Sequence, residues 1–487
     1  MSATLDLKSL LPNRILIGDQ YLSSASGGEF DHVNPATGKA QRTLALAGPE
    51  EIDLAVKTAR AAFLEWRKWH PTERRRVLLK FAALIAENRE ELASVQSLEA
   101  GITRWLHAPQ AVDMGVAYLE DAACWADRLY GDTVAPGAGQ LFNYTVLEPI
   151  GVVGVIQSWN GSVAAFAFSA APALAAGCTV VLKPSELAPF GPLRCAELAL
   201  QAGIPPGVIN VVPGSAAAGE ALVSHPGIDK VTFTGSPPTG RKIAAACALA
   251  LKPCLLELGG KSARLVFDDA NFHTAIDTVA KVAINAGQQC TLGSRLLVHA
   301  RVYDQFADQL GAALDAIKVG DPFDKDTMMG PVINAAGFER IRGLIDRAQG
   351  YGNVRVGGKR FTGALADGFF IPPTLVDGID NQSEIARTEV FGPVFAMIPF
   401  TDDDEAIAMA NDSEFGLAAY VMTRDVGRAH RVASLLNAGN IGINGGFAPA
   451  GPSIPFGGRK ISGWGKQGGL PGIMEYVHTK AVQLTLE

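Results

Sequence analysis

Between Glu148 and Lys183 the chain runs for 34 residues without a charged side chain. No other feature limits the fold as strongly, because a stretch of that length has to be buried in a bilayer or in a protein core. A membrane-crossing helix needs about 20 apolar residues in one helix. Here Gly151, Gly154, Asn160, Gly161, Pro172 and Gly177 interrupt the run. The β-branched residues Thr179, Val180 and Val181 read as a strand. The segment is therefore read as strand, helix and strand inside a protein, with no membrane span.

The neighbouring sequence continues this alternation. Strands are expected at 151–157, 178–182, 208–212, 231–234 and 254–258, with helices at 163–176, 192–201 and 241–251. A second series follows, with strands at 264–267 and 294–298 and helices at 272–286 and 302–317. Upstream, 50–70 and 71–96 read as amphipathic helices, the second with Leu78, Phe81, Ile85 and Leu92 on one face. Arg74, Arg75 and Arg76 are assigned to its solvated face. Strands alternating with helices imply an α/β fold built on a parallel sheet.

Composition removes several function classes. With 48% hydrophobic and 19% charged residues the chain is not disordered, and 487 residues correspond to about three units of ~150 residues. The net charge of −7 argues against nucleic acid as a partner. Six scattered cysteines form neither a disulfide framework nor a CxxC metal site, so no metal is expected and a reducing, cytoplasmic compartment fits. The first 14 residues lack the apolar core and cleavage site of a signal peptide.

In open parallel sheets, ligands collect at the carboxyl ends of the strands. Lys183, Pro184, Ser185 and Glu186 follow one expected strand, and Thr234, Gly235 and Ser236 follow another. Neither the 214–219 nor the 235–240 glycine pair spells GxGxxG, so each alone reads as a tight strand–helix turn. Cys290 has the polar neighbours Gln288, Gln289 and Thr291, which suit a reactive thiolate. Cys124, Cys178, Cys195, Cys247 and Cys254 sit in apolar stretches and read as small hydrophobes. Glu257, in an apolar strand end, is either a general base or an ion-paired structural residue. Asn160 must satisfy its amide on backbone or on a ligand oxygen.

Taken in order, the motifs resemble those of the aldehyde dehydrogenase superfamily over nearly the whole chain. They are Trp159–Asn160, KPSE at 183–186, FTGS at 233–236, LELGGK at 256–261, GQQC at 287–290, EVFGPV at 389–394 and PFGGRKISGWG at 455–465. The resemblance implies a Rossmann-like dinucleotide-binding domain at 1–125 and 149–258 and a second α/β catalytic domain at 259–460. It also implies a small β bridging and oligomerisation element at 126–148 and 476–487, and a homodimer or homotetramer.

The same resemblance implies roles. Cys290 would attack the aldehyde to form a thiohemiacetal, Asn160 would bind the oxyanion, and Glu257 would activate water to hydrolyse the resulting thioester. The cofactor would be held by Gln157, Ser158 and Trp159, by Lys183, Ser185 and Glu186, and by Gly214 and Gly219. Phe233, Thr234, Gly235, Ser236, Leu258, Glu389 and Phe391 would complete that site. A carboxylate at Glu186 would meet the adenosine ribose, which favours NAD over NADP by charge repulsion of a 2′-phosphate. Acylating oxidation with CoA, a non-catalytic NAD-binding relative and a cofactor-free thiol hydrolase are the rival readings.

The sequence departs from the family where substrate size is set. Ser158 and Gly161–Ser162 flank Trp159–Asn160, where relatives carry proline and an aromatic residue. Ser169 stands where many have lysine, and GKQGG at 465–469 replaces a glutamate-containing turn. The expected substrate channel comprises Met114, Gly161, Ala164, Ala165, Phe168, Gln289, Thr291, Phe447 and Phe456, none of them charged. A second carboxylate on the substrate would want an arginine there. The expectation is therefore a bulky, apolar, uncharged aldehyde.

Overall fold

The computed structural model describes residues 10–134, 141–445 and 451–485. The uncharged segment supplies the centre of its largest sheet. Strands Val152–Ile156 and Thr179–Lys183 pair in parallel, joined by the helix Ser162–Ala176, which ends on Gly177 at φ +97°. That helix is buried along almost its whole length, which explains why its sequence carries no charge. Among the described residues no helix is long and apolar enough to cross a membrane.

Five parallel strands run across this sheet in the order Cys254–Leu258, Lys230–Gly235, Val152–Ile156, Thr179–Lys183, Ile209–Val211. Counted along the chain that is 5-4-1-2-3, so the winding reverses between Val152–Ile156 and Lys230–Gly235. A crevice opens at such a switch point because the two flanking connections leave on opposite faces. Antiparallel strands extend both edges: Gly463–Trp464 beside Cys254–Leu258, and Ile15–Ile17 with Gln20–Leu22 beside Ile209–Val211.

A second sheet has seven strands in the order Asn353–Val356, Thr374–Asp377, Val394–Phe400, Arg295–His299, Ala263–Val266, Ala418–Met422, Asn440–Ile443. Only the first of these pairs antiparallel. The third sheet pairs Val477–Thr485 with Leu141–Pro149 over nine positions, and Thr133–Val134 lies on its far side. The first sheet carries a separate apolar core on each face, and the second sheet has a core of its own.

The structure corrects several element boundaries. The expected helix at 71–96 is two helices, Pro71–Glu87 and Arg89–Ala100, because Asn88 leaves helical geometry and its side-chain amide donates to the Leu84 carbonyl. Arg74 is buried rather than solvated, and its guanidinium donates to the Trp69 carbonyl; Arg75 pairs with Asp127. The helix expected at 241–251 starts at Pro237, which presets the first turn. The helix expected at 272–286 stops at Ala283. Ala286 and Gly287 then take positive φ and turn the chain toward Cys290.

Candidate active site

Glycine chemistry sets the position of Cys290. A Cβ on Gly287, at φ +63°, would lie 2.1 Å from the Gly392 carbonyl oxygen. A Cβ on Gly260 would lie 2.5 Å from the Cys290 carbonyl oxygen. Backbone therefore packs directly on backbone on both sides of the cysteine loop, as only glycine permits. Gln288 fixes the loop further by accepting from the Ile333 N–H at 2.9 Å.

Two cavities meet at Cys290. The larger, about 630 Å³, lies at the switch point and is lined by Trp159, Gly235, Ser236, Leu258, Glu389 and Phe391 among others. The smaller, about 230 Å³, runs along the helices His107–Trp125 and Ser162–Ala176. Ser158, Asn160, Thr234, Glu257 and Cys290 line both. The three residues expected to do chemistry are thus on one shared wall, brought there from three elements distant in sequence.

The local bonding of each is informative. Asn160 Nδ2 donates to the Gln288 carbonyl at 3.0 Å, and Ser158 Oγ donates to Asn160 Oδ1 at 2.9 Å. These bonds fix the amide orientation while leaving one of its two N–H groups for a ligand oxygen. Burial pushes the Cys290 thiol up to about 12, reinforced by the carboxylates Glu389 and Glu257. Glu257 is 4% exposed, and among the described residues neither of its oxygens has a hydrogen-bond partner. Burial raises it well above the usual carboxylate range, with Lys466 pulling the other way. Burial of this kind disfavours the ionised form and makes the carboxylate a stronger base.

In the larger cavity, Glu389 Oε1 accepts from the Gly260 N–H at 2.9 Å, and burial raises the carboxyl to about 7. Phe391 holds φ +48°, and its ring meets that of Trp159 edge-on with centroids 5.3 Å apart. Ser236 sits before the helix Pro237–Leu249, whose first two residues are prolines without N–H groups; Ser236, both prolines and Arg241 line the cavity, so the positive end of the helix dipole faces it. Lys183, Glu186, Gly214 and Gly219 form a separate cluster. Lys183 Nζ donates to the Gly214 carbonyl and lies 4.0 Å from Glu186, and a Cβ on Gly219 would lie 3.5 Å from Lys183 Cε.

Seven expected cofactor residues line neither cavity: Lys183, Glu186, Gly214 and Gly219 of that cluster, and Gln157, Ser185 and Phe233. Gln157 is buried and its amide donates to the Ser162 carbonyl at 2.8 Å. Ser185 Oγ accepts from the Leu187 N–H, closing a turn. Phe233 packs beneath Gly235. Among the expected channel residues, Met114, Gly161, Ala164, Ala165, Phe168, Gln289, Thr291 and Phe456 line the smaller cavity. Phe447 lies outside the described residues.

The channel also contains residues that the sequence reading did not name. His107, Gln110, Ala111 and Tyr118 share the Met114 face of one helix. Their spacing from Met114 by three, four and seven positions is the signal that would have found them. Tyr118 packs on Phe168 at 4.5 Å, and Phe168 on Phe456 at 5.9 Å. In the larger cavity, Arg340 comes from the helix Ala335–Ala348, Arg387 from the end of the short helix Glu384–Arg387, and Phe415 from the connection after Asn411.

A switch-point crevice and a second, largely apolar channel meet at one thiol. The chain belongs to the aldehyde dehydrogenase family, which matches it over residues 21–482. It is 38% identical to the mitochondrial succinate-semialdehyde dehydrogenase of Oryza sativa subsp. japonica, over 97% of this chain and 89% of that one. It superposes on the crystal structure of PnpE in complex with nicotinamide adenine dinucleotide with a TM-score of 0.95 at 39% identity, covering 98% of each chain. On betaine aldehyde dehydrogenase from Staphylococcus aureus in complex with NAD+ the TM-score is 0.96 at 35% identity, covering 99% of this chain and 97% of that one.

Proposed function

We propose that the protein oxidises a bulky, uncharged aldehyde to the carboxylic acid with NAD, through a thioester on Cys290 that water hydrolyses. The observation that carries this reading is the shared wall, where Asn160, Glu257 and Cys290 face both cavities. The larger cavity suits a dinucleotide: its wall includes the positive end of the helix Pro237–Leu249 with Arg241 on that helix, and the half-buried Glu389 is on the same wall. When bound, NAD would supply the hydride acceptor that turns the thiol adduct into the thioester.

The chain's own groups do the rest. The Cys290 thiolate attacks the aldehyde carbon, and the free Asn160 N–H with the Cys290 backbone N–H receives the oxygen. Each such donor is worth about 3–4 kcal/mol in acyl chemistry. Glu257 turns from its buried rest position to take a proton from the water that attacks the thioester. Its presence favours hydrolysis over transfer to CoA. Glu186, beside Lys183, favours NAD over NADP.

The substrate reading rests on the smaller cavity. Among the described residues its wall holds no lysine or arginine, and Glu257 is its one carboxylate. A substrate with a second carboxylate would lack a partner there. A Cβ on Gly161 would meet nothing within 4 Å, so that wall is open. We also infer a homo-oligomer in a reducing cytoplasm. The three-stranded sheet exposes Phe142, Tyr144, Val146 and Leu484, and Val477–Thr485 forms its edge.

The test is NADH formation from aldehydes graded by size and charge, with product identity measured with and without CoA. Bulky neutral aldehydes should give the highest kcat/KM and free acid as product. Higher kcat/KM for acetaldehyde or succinic semialdehyde than for every bulky neutral aldehyde would reject the substrate reading. A strict requirement for CoA would reject hydrolysis.

A further inference from the structure

Glu99 is fully buried, lies in the last turn of the helix Arg89–Ala100 and takes no part in the chemistry above. Its carboxyl joins two arms of the site. Oε1 accepts from the hydroxyl of Ser162, the first residue of the helix that follows Asn160 and Gly161. Oε2 accepts from the backbone N–H groups of Phe190 at 2.8 Å and Gly191 at 3.2 Å. These open the helix Phe190–Ala202, directly after the loop that follows Lys183 and carries Ser185 and Glu186. The Ser162 carbonyl is held in turn by Gln157. One carboxyl therefore ties the aldehyde-side arm to the ribose-side arm, each at a helix start.

We propose that Glu99 is a positioning residue whose ionisation tightens this tie, so that aldehyde and cofactor sites are set together by one buried proton. The inference rests on the dehydrogenase reading above. As a carboxylate Glu99 accepts three charge-assisted bonds, two of them at a helix N-terminus, where negative charge is favoured. As a neutral acid it accepts weaker bonds and spends its own proton on one oxygen. Burial opposes these bonds and raises the carboxyl to about 7, so both forms are populated near neutrality.

The groups facing Glu99 do not override this balance. From the strand Glu29–Asn34, His32 is buried, held neutral, and bonded to the Leu187 carbonyl and Gln41. From the helix Phe190–Ala202, Cys195 is held protonated by burial, while Arg194 is paired with Glu91 and Glu197. On the helix His107–Trp125, burial lowers His107, and Asp113 pairs with Arg89. Arg104 pairs with Glu90, and on the helix Pro71–Glu87 Arg74 bonds the Trp69 carbonyl and Arg75 pairs with Asp127. The helix Ser162–Ala176 has no titratable side chain.

The experiment compares pH profiles of kcat and of KM for both substrates in the wild type, Glu99→Gln and Ser162→Ala. Glutamine keeps an acceptor for the two N–H groups and a donor toward Ser162, so it preserves the fold and mimics the neutral acid. In the wild type, KM for aldehyde and for NAD should both fall about fivefold as pH rises through about 7. Glu99→Gln should lose this limb and hold the acid-side KM values at all pH. Its kcat should keep rising with pH through Cys290. Ser162→Ala should raise KM for aldehyde more than for NAD. Superimposable wild-type and Glu99→Gln profiles would overturn the proposal while leaving the dehydrogenase reading intact. Absence of NADH from any aldehyde in the wild type would instead overturn that reading.

Discussion

Replacing Gly161 by phenylalanine should convert a channel for bulky aldehydes into one for small ones. Gly161 opens the helix Ser162–Ala176, one residue after Asn160, and a Cβ there would meet no heavy atom within 4 Å. The new side chain therefore enters the 230 Å³ channel instead of the core. An aromatic side chain buries about 150–250 Å² when fully enclosed. If the introduced ring displaces roughly 100 Å² of substrate contact, the loss at ~25 cal/mol per Å² is about 2.5 kcal/mol. That corresponds to about 70-fold in kcat/KM. The loss should fall mainly on KM of the bulky aldehyde, because Asn160, Glu257 and Cys290 are untouched. Acetaldehyde occupies only the space beside Cys290 and should change by less than about threefold. Steady-state NADH formation with both aldehydes at saturating NAD measures the two ratios. Equal losses for both substrates, or no loss for the bulky one, would refute the argument that the channel opens at Gly161.

Other outcomes follow from the same geometry. Glu257→Gln should keep an initial burst of NADH and lose about 10²-fold or more in steady-state turnover, read by stopped-flow; an unchanged steady rate removes Glu257 from hydrolysis. Without cofactor, the Cys290 thiol is pushed up to about 12, so its alkylation by iodoacetamide should rise about tenfold per pH unit with no plateau below pH ~9. A plateau near neutrality would contradict the buried, carboxylate-flanked setting. Gly287→Ala should lower Tm and activity together, since its Cβ would press on the Gly392 carbonyl at positive φ; unchanged melting would show that the loop has room. Glu99 rises from about 4.5 unfolded to about 7 folded, so its neutral form is favoured by folding. Its contribution is complete below the unfolded value and declines by ~3 kcal/mol as pH rises to the folded one. Thermal melts of Glu99→Gln should therefore lose less stability than the wild type between about pH 5 and pH 8.

The elements legible from sequence were those with a strong local signal. Strands Val152–Ile156 and Cys254–Leu258 emerge from apolar and β-branched runs, and the helix Ser162–Ala176 from its uncharged length. Misplaced boundaries lay where a single side chain or backbone angle decides. Asn88 stops a helix by bonding Leu84, and Ala286 with Gly287 ends another through positive φ. Arg74 shows the same limit: its charge suggests solvent, while packing buries it against the Trp69 carbonyl.

Motif order and residue type by themselves determined the candidate chemistry, because a thiol, an amide and a carboxylate have fixed reactive capacities wherever they stand. Tertiary structure decided which of those groups share space. Parallel strand order 5-4-1-2-3 puts the ends of Val152–Ile156 and Lys230–Gly235 side by side, and glycine contacts bring the Cys290 loop against them. It also decided that Gln157 and Glu99, one expected at the cofactor and one not singled out at all, both close on Ser162. The contact between Glu99 and Ser162 spans 63 residues. Contacts of that range depend on how helices pack, which local periodicity does not encode.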